Sequence, residues 1–209
     1  TLAKSIIRLV EPSSGAITLN EKDFLNLTGN ELVKARKNIQ MVFQDPFGSL
    51  NPSQTVEYMI TRGMMLQGID RSTARQKTLE LLEKVGLSSA ALKRKPRNFS
   101  GGQRQRIGIA RALSLGPDVI IADESVSALD LSIQAQILEL IKILKDKYKL
   151  TIIFVSHDLS IVKSICDRVI VLKDGSIVES NSTINLFKNP QSVYTKKLIS
   201  SVPSPIPLK

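Results

Sequence analysis

The chain has 209 residues, of which 42% are apolar, so it is long enough to bury a substantial core. Its formal net charge of +10 favours anionic partners such as nucleotide phosphates, nucleic acid or an acidic membrane surface, and does not choose between them. The single cysteine, Cys166, and the single histidine, His157, exclude an intrachain disulfide and a His/Cys zinc site within one chain.

Hydrophobic periodicity at the start of the chain is typical of alternating helices and strands. Helices are predicted over 1–10 and 29–37, and strands over 16–19 and 39–43. The run 39–43 is apolar without interruption, which is typical of a strand buried on both faces. It ends at Gln44, and a turn is predicted at Asp45-Pro46.

Helical patterns dominate the middle of the chain. Two helices are predicted over 55–65 and 72–85, and a basic helix is predicted over 101–115, where Gly116-Pro117 ends it. Because no strand is predicted between residues 54 and 115, we interpret this stretch as an α-helical subdomain inserted into the sheet.

Strands return after this region and alternate with helices. Buried strands are predicted over 119–122 and 151–155, each followed by a helix, and a hairpin follows that turns at Lys173-Asp174-Gly175. This alternation predicts an α/β fold with a mainly parallel sheet. The prolines of the tail 202–209 favour extended chain there.

Polar side chains lie at or just beyond the ends of three predicted strands: Gln44, Asp123, Glu124 and His157. Because the carboxyl ends of parallel strands meet at one edge of a sheet, where α/β proteins bind ligands, we expect these side chains to meet there. One carboxylate could hold magnesium, the other could orient a water molecule, and the histidine could hydrogen-bond a phosphate oxygen. Taken singly, each also fits an ordinary role as a solvated strand end, a loop cap or a surface histidine.

The basic helix over 101–115 is preceded by a second candidate site, made of Ser100, Gly101, Gly102 and Gln103. An N-cap serine with glycines in the entry turn explains this segment structurally. The same geometry also suits phosphate, because free amides, a hydroxyl and the positive end of the helix dipole converge there. Arginines within the helix would strengthen that field, although a basic solvated face explains them more simply: Arg104, Arg106 and Arg111.

The order of these motifs resembles the nucleotide-binding domain of ABC ATPases, a family with a P-loop NTPase-like α/β fold. In the family's terms they are the Q-loop, signature motif, Walker B motif, D-loop and switch histidine, matched here by Gln44, Ser100–Gln103, Asp123-Glu124, Ser127–Asp130 and His157.

Longer segments resemble one branch of that family, the ATPase subunits of dipeptide and oligopeptide importers. These segments are 43–52, 99–106 and 189–195, together with Val202-Pro203. The sequence departs from the pattern in two places. Ser125 stands where these importers usually have proline, and Gln191-Ser192-Val193 replaces their usual His-Pro.

The resemblance implies ATP and Mg²⁺ as cofactors and hydrolysis coupled to uptake of peptides or similar small solutes. It assigns nucleotide binding to Ser100, Gly101, Gly102, Gln103 and Asp130, the metal to Asp123 and Gln44, and catalysis to Glu124, His157 and Gln44.

The resemblance also implies partners and a location. The partners are a second ABC ATPase subunit, identical or different, transmembrane permease subunits and, indirectly, a solute-binding protein, without nucleic acid. The location is peripheral, on the cytoplasmic face of the cell membrane. One ATPase domain then covers residues 1–209, with a helical subdomain at about 54–115 and an importer-type tail at about 182–209.

One family motif has no match in the sequence, the phosphate loop G-x-x-x-x-G-K-S/T (Walker A). Residues 1–10 resemble the helix that follows this loop, so we expect the chain to be an N-terminal truncation of a longer ATPase. A complete protein that has lost ATP binding is the alternative. Two further alternatives for the function are a non-enzymatic assembly subunit and a nucleic-acid-associated ABC-type ATPase, which would make use of the positive charge.

Overall fold

A computed structural model describes residues 1–45 and 47–201, which divide into two compact units, Thr1–Val155 and the residues from Ser156 onward. The predicted turn at Asp45-Pro46 lies partly outside the described residues. The predicted extended tail, with Val202-Pro203, lies wholly outside them.

The described part of the first unit contains five strands and six helices. The strands are β1 (Thr18–Leu19), β2 (Lys22–Asp23), β3 (Ile39–Val42), β4 (Val119–Asp123) and β5 (Thr151–Val155). The helices are α1 (Leu2–Ile6), α2 (Gly29–Arg36), α3 (Val56–Leu66), α4 (Arg71–Lys84), α5 (Gly101–Leu113) and α6 (Leu131–Tyr148). Two 3-10 turns precede α5, at Ser89–Lys93 and Pro96–Asn98.

Strands β3, β4 and β5 form a parallel sheet in that order, which confirms the predicted α/β class. The central strand β4 buries Ile120, Ile121 and Ala122, as its unbroken apolar run predicted. The prediction of a buried β5 is wrong. Within the described residues β5 pairs only with β4, so it is an edge strand whose Ile153 and Val155 are each 36% exposed.

Helices α3, α4 and α5 lie between β3 and β4 in the sequence and pack on one another. Side-chain caps fix where the first two begin: Thr55 accepts from the Tyr58 N–H, and Asp70 accepts from the N–H groups of Ser72 and Thr73. Their apolar faces form a core that contains Ile60, Met64 and Leu82. These are the helices predicted for the inserted subdomain, whose limits of about 54–115 stay a prediction.

The helix predicted over 1–10 is shorter than expected and ends at Ile6. The chain turns at Arg8, which adopts a left-handed φ of 56° while its guanidinium donates to the carbonyl oxygen of Phe24 at 3.0 Å. Leu9 is consequently 53% exposed instead of continuing an apolar stripe.

The described part of the second unit contains a hairpin and three helices. The elements are α7 (Leu159–Ile165), β6 (Arg168–Lys173), β7 (Ser176–Ser182), α8 (Thr183–Lys188) and α9 (Val193–Ser200). Strands β6 and β7 pair antiparallel through a turn at Asp174 and Gly175, both with positive φ, as predicted.

Glu179 of β7 fixes the chain ahead of α9. Its Oε1 accepts from the Gln191 N–H at 2.9 Å and its Oε2 from the Ser192 N–H at 3.0 Å. Hydrogen bonding, first of all from the Gln191 N–H, holds the pKa of Glu179 below its usual range. One of the two segments that depart from the importer pattern is therefore anchored to the hairpin.

Candidate functional site

The parallel sheet brings Gln44 and Glu124 together. Val42 pairs with Ala122 on the neighbouring strand, and each candidate residue follows two positions later. The Nε2 amide of Gln44 donates to Oε2 of Glu124 at 2.8 Å. Strand ends that were expected to meet at one edge of the sheet therefore do meet, for these two residues.

The backbone at Glu124 is held in an unusual conformation. Its φ is 44°, in the left-handed region that few residues with a side chain adopt. Its N–H donates to the Val155 carbonyl at 2.9 Å, and its own carbonyl accepts from the N–H and the hydroxyl of Ser127 at 3.1 and 2.9 Å. These bonds on both sides of Glu124 fix the direction in which its carboxylate leaves the chain.

Ser125, where importers usually have proline, is 2% exposed. Its hydroxyl makes no hydrogen bond within the described part of the chain. Proline would remove this buried hydroxyl, so the departure from the family pattern adds a buried polar group beside Glu124.

Asp123 ends β4 and lines, with Gln44, a groove of about 780 Å³ in the first unit. Among the residues that the structure describes, no three His, Cys, Asp or Glu side chains come together as metal ligands. Mg²⁺ needs only one or two protein oxygens when phosphates and water complete its shell. The Asp123 carboxylate and the Gln44 Oε1 fit that donor set, because the amide nitrogen of Gln44 is the atom engaged by Glu124.

Ser100 and Gln103 form a capping box at the start of α5. The Ser100 hydroxyl accepts from the Gln103 N–H at 3.3 Å, and the Gln103 side chain accepts from the Ser100 N–H at 3.1 Å. The N–H groups between them, those of Gly101 and Gly102, occupy the first helical positions, which have no carbonyl partner within the helix. The structural and the ligand-binding explanations of this segment are therefore compatible.

The expectation that α5 presents a basic solvated face is wrong. None of its three arginines is an exposed residue, and each donates to a backbone carbonyl outside the helix. The pairs are Arg104 with Phe99, Arg106 with Val85, and Arg111 with Ser49. Burial lowers the pKa of Arg111.

Two of these arginines hold the loop that follows Gln44. The Arg104 guanidinium lies 3.5 Å from the centroid of the Phe47 ring, and Arg111 Nη1 donates to the Ser49 carbonyl at 2.7 Å. Sequence reasoning missed both contacts. The available signal was their spacing of seven residues, which is close to two helical turns and places both on one face of α5.

Asp130 is the N-cap of α6. Its Oδ1 accepts from the Ile133 N–H at 3.0 Å and from the Ser132 hydroxyl at 2.9 Å. These bonds, the Ile133 N–H first, hold the pKa of Asp130 below its usual range. Asp130 is exposed at the start of the helix.

His157 belongs to the second unit, where it is exposed and directly precedes Asp158, the N-cap of α7. The Asp158 N–H donates to the Ser156 hydroxyl at 3.0 Å, so this turn is locally ordered. The predicted place of His157 beside Glu124 stays a prediction.

The sequence of residues 1–127 matches the protein family described as "ABC transporter", which is more than half of the chain. The chain belongs to the ABC transporter family. The resemblance inferred from the motifs is thereby confirmed.

Curated relatives of this ABC protein include transport ATP-binding proteins of bacteria. The oligopeptide transport ATP-binding protein AppF of Bacillus subtilis is 49% identical over 205 residues, 97% of this chain and 62% of the relative. The dipeptide transport ATP-binding protein DppF of Lactococcus lactis is 44% identical over 212 residues, 100% of this chain and 68% of the relative. The chain thus spans about two thirds of the length of the curated relatives it matches.

Solved structures give the same fold. A dimeric ATP-binding cassette bound to ADP and Pi, in a post-hydrolysis state, superposes with a TM-score of 0.76 at 30% identity, over 87% of this chain and 79% of that one. CbiO1 of Clostridium perfringens, part of an ABC transporter complex, superposes with a TM-score of 0.79 at 28% identity, over 90% of this chain and 74% of that one. The expected ABC ATPase fold is confirmed.

Within its described residues this chain has no helix that is both long and apolar enough to cross a bilayer.

Proposed function

We propose that this chain is the ATP-binding and ATP-hydrolysing part of an ABC importer for peptides or similar small solutes. The observation that carries the proposal is the 2.8 Å hydrogen bond between Gln44 and Glu124 at the carboxyl edge of the sheet. It joins two residues that the family's motifs assign to the reaction. The names of the relatives, oligopeptide and dipeptide transport ATP-binding proteins, support the solute class.

Glu124 is the proposed base for the water that attacks the γ-phosphate. Gln44 orients its carboxylate through the amide hydrogen bond, and the bonds around the Glu124 backbone limit its movement. His157 is proposed to donate a hydrogen bond to the γ-phosphate. Phosphoryl transfer needs little from the protein besides positioning and charge stabilisation, which such a set provides.

Asp123 and Gln44 are the proposed holders of Mg²⁺. An ion held there would supply positive charge against the phosphates of the nucleotide. Its shell needs further oxygens from water and nucleotide, since these two residues offer only a carboxylate and one amide oxygen.

The signature segment is proposed to hold the γ-phosphate of a nucleotide bound to a second ATPase subunit, identical or different. Its contributors are Ser100, Gly101, Gly102 and Gln103, with the N–H groups and dipole of α5 supplying positive charge. A related cassette that is dimeric and bound to ADP and Pi supports the presence of a second subunit. Asp130 is proposed to couple the two nucleotide sites.

The groove beside Gln44 is proposed to receive a transmembrane permease subunit. It is lined by the loop residues Asp45, Gly48 and Ser49 and by Arg62 and Leu66 of α3. A permease segment docked there would touch the loop that carries Gln44, and so link transport to the reacting phosphate. This partner puts the protein on the cytoplasmic face of the membrane, with a solute-binding protein engaged indirectly.

We also propose the domain arrangement expected from the sequence: one ATPase domain over residues 1–209. It contains a helical subdomain at about 54–115 and an importer-type tail at about 182–209.

ATP turnover tests the proposal in two proteins: the 209-residue chain, and an extended chain in which a strand and phosphate loop from an ABC ATPase are joined ahead of Thr1. We expect Mg²⁺-dependent turnover by the extended chain and its loss in that chain with Glu124→Gln. Folding of each protein is checked by a cooperative urea transition.

Two outcomes would contradict the proposal. A folded extended chain that neither binds nor hydrolyses ATP removes the enzymatic role. If it still binds permease subunits, it is an assembly subunit. DNA that stimulates turnover in a salt-sensitive manner would indicate a nucleic-acid ATPase instead.

A further inference from the structure

The starts of α5 and α6 pack against each other without space for a side chain at Gly102. A Cβ added at Gly102 would lie less than 3.0 Å from Cγ2 of Ile133, a separation that real Cβ atoms do not show. It would also lie 3.8 Å from Cβ and 3.9 Å from Cδ1 of the same residue. The Ile133 side chain therefore lies against the face of Gly102.

Ile133 contacts Asp130 through its backbone. Its N–H donates to Asp130 Oδ1 at 3.0 Å, and this bond is the cap that begins α6. Ile133 thus has its side chain on the signature segment and its amide on the D-loop carboxylate. Any displacement of Gly102 toward α6 pushes on the residue that holds Asp130.

We propose that Ile133 is a positioning residue that couples the Ser100–Gly102 turn to the Asp130 carboxylate. The functional part of this inference rests on the proposed function, in which both segments serve the nucleotide. A phosphate moving the start of α5 would shift Asp130 through the Ile133 side chain. Binding at one segment would thereby be sensed at the other within the same subunit.

The inference gives Gly102 a role besides contact with phosphate. Glycine is needed there because α6 approaches closely, independently of any ligand. Gly108, in the same helix, has open space around an added Cβ and provides a matched control.

The experiment uses the 209-residue chain without nucleotide, in four variants: Gly102→Ala, Ile133→Ala, the double substitution and Gly108→Ala. Urea unfolding gives stability, and amide hydrogen exchange at Ile133 reports the Asp130 cap. We expect Gly102→Ala to lower the folding equilibrium constant by about 5- to 30-fold, as overpacking does, and to speed Ile133 exchange about tenfold. Gly108→Ala should leave that exchange rate unchanged.

The double substitution decides the mechanism. Ile133→Ala removes the colliding atoms, so adding Gly102→Ala to it should cost no further stability. The backbone amide of residue 133 should exchange as slowly in the double variant as in Ile133→Ala alone. Equal effects of Gly102→Ala in both backgrounds, or unchanged exchange in the single variant, would overturn the proposal. Because no nucleotide is present, this result is independent of whether the chain hydrolyses ATP.

A second arm tests the coupling in the extended chain. We expect Ile133→Ala to lower the turnover number more than it raises the KM for ATP, because Asp130 loses its guide while the phosphate contacts remain. Ile133→Val, which keeps Cγ2, should restore turnover. Equal turnover by the Ala and Val variants would contradict a positioning role.

Discussion

The amide of Gln44 and the carboxylate of Glu124 meet at 2.8 Å although they are 80 residues apart in the sequence. Each side chain leaves the carboxyl end of a strand, and the two strands are neighbours in the sheet. The pair is therefore positioned by sheet register, and a change on either strand alters the geometry of both residues.

We expect removal of either member of this pair to affect turnover more than binding. Glu124→Gln in the extended chain should lower turnover by about 10²- to 10⁴-fold, the usual contribution of a general base, with little change in ATP affinity. Gln44→Ala should cause a smaller loss, because the carboxylate stays but is less well oriented. Fluorescent ATP binding and phosphate release measure the two quantities. Undiminished turnover in Glu124→Gln would refute its assignment.

Arg111 should contribute to stability through a single carbonyl. Arg111→Met keeps most of the side-chain volume and leaves the Ser49 carbonyl without its donor, so we expect a loss of about 1–3 kcal/mol in unfolding free energy. The control is Arg71→Met, at an exposed position of α4, which should change stability by less than about 0.5 kcal/mol. Urea midpoints measure the loss of stability in the two variants, and equal losses would contradict the role assigned to Arg111.

We expect the Asp70 carboxylate to make the stability of the folded chain depend on pH. Hydrogen bonding, first of all from Thr73, lowers the pKa of this N-cap carboxylate in the folded chain. The unfolded chain then binds the proton more tightly, so the stabilisation is present above the unfolded pKa near 3.9 and is lost as the pH falls toward the folded pKa. Asp70→Asn, which also caps a helix, should make the difference in Tm between pH 7 and pH 3 smaller than in the unsubstituted chain. An unchanged difference in Tm would contradict the assigned role of Asp70.

Val193 should tolerate the proline that related importers carry near this point. It is the first residue of α9 and 82% exposed, and Ser192 before it is extended, with ψ of 136°. Proline suits the first helical position, so Val193→Pro should stabilise the chain by about 0.4–1 kcal/mol, mainly by restricting the unfolded state. Val193→Ala separates this effect from loss of the valine side chain. A lower urea midpoint for the proline variant would show that α9 begins differently.

The sequence predicted those features that local chemistry decides. The existence of strands β3 and β4, the Ser100 cap and the Asp174-Gly175 turn each follow from residues near one another, and the structure has each of them. The motif order also predicted the family correctly.

The wrong predictions concern partners distant in sequence. Arg111 looked solvated because its acceptor, Ser49, is 62 residues away, and nothing local reveals a carbonyl at that distance. The sequence made no prediction about the close approach of Ile133 to Gly102, because that approach depends on how two helices cross. The edge position of β5 likewise depends on which strands pair, and an apolar run alone does not decide that.

Because the backbone at Glu124 is left-handed, with φ of 44°, the substitutions that a directed-evolution experiment enriches at this position depend on the property selected. Glycine and asparagine enter that region easily, whereas a glutamate there costs roughly 1–2 kcal/mol. Either replacement would relax the chain while deleting the proposed base. Selection for heat resistance alone would therefore enrich inactive variants at residue 124, and selection for turnover would discard them.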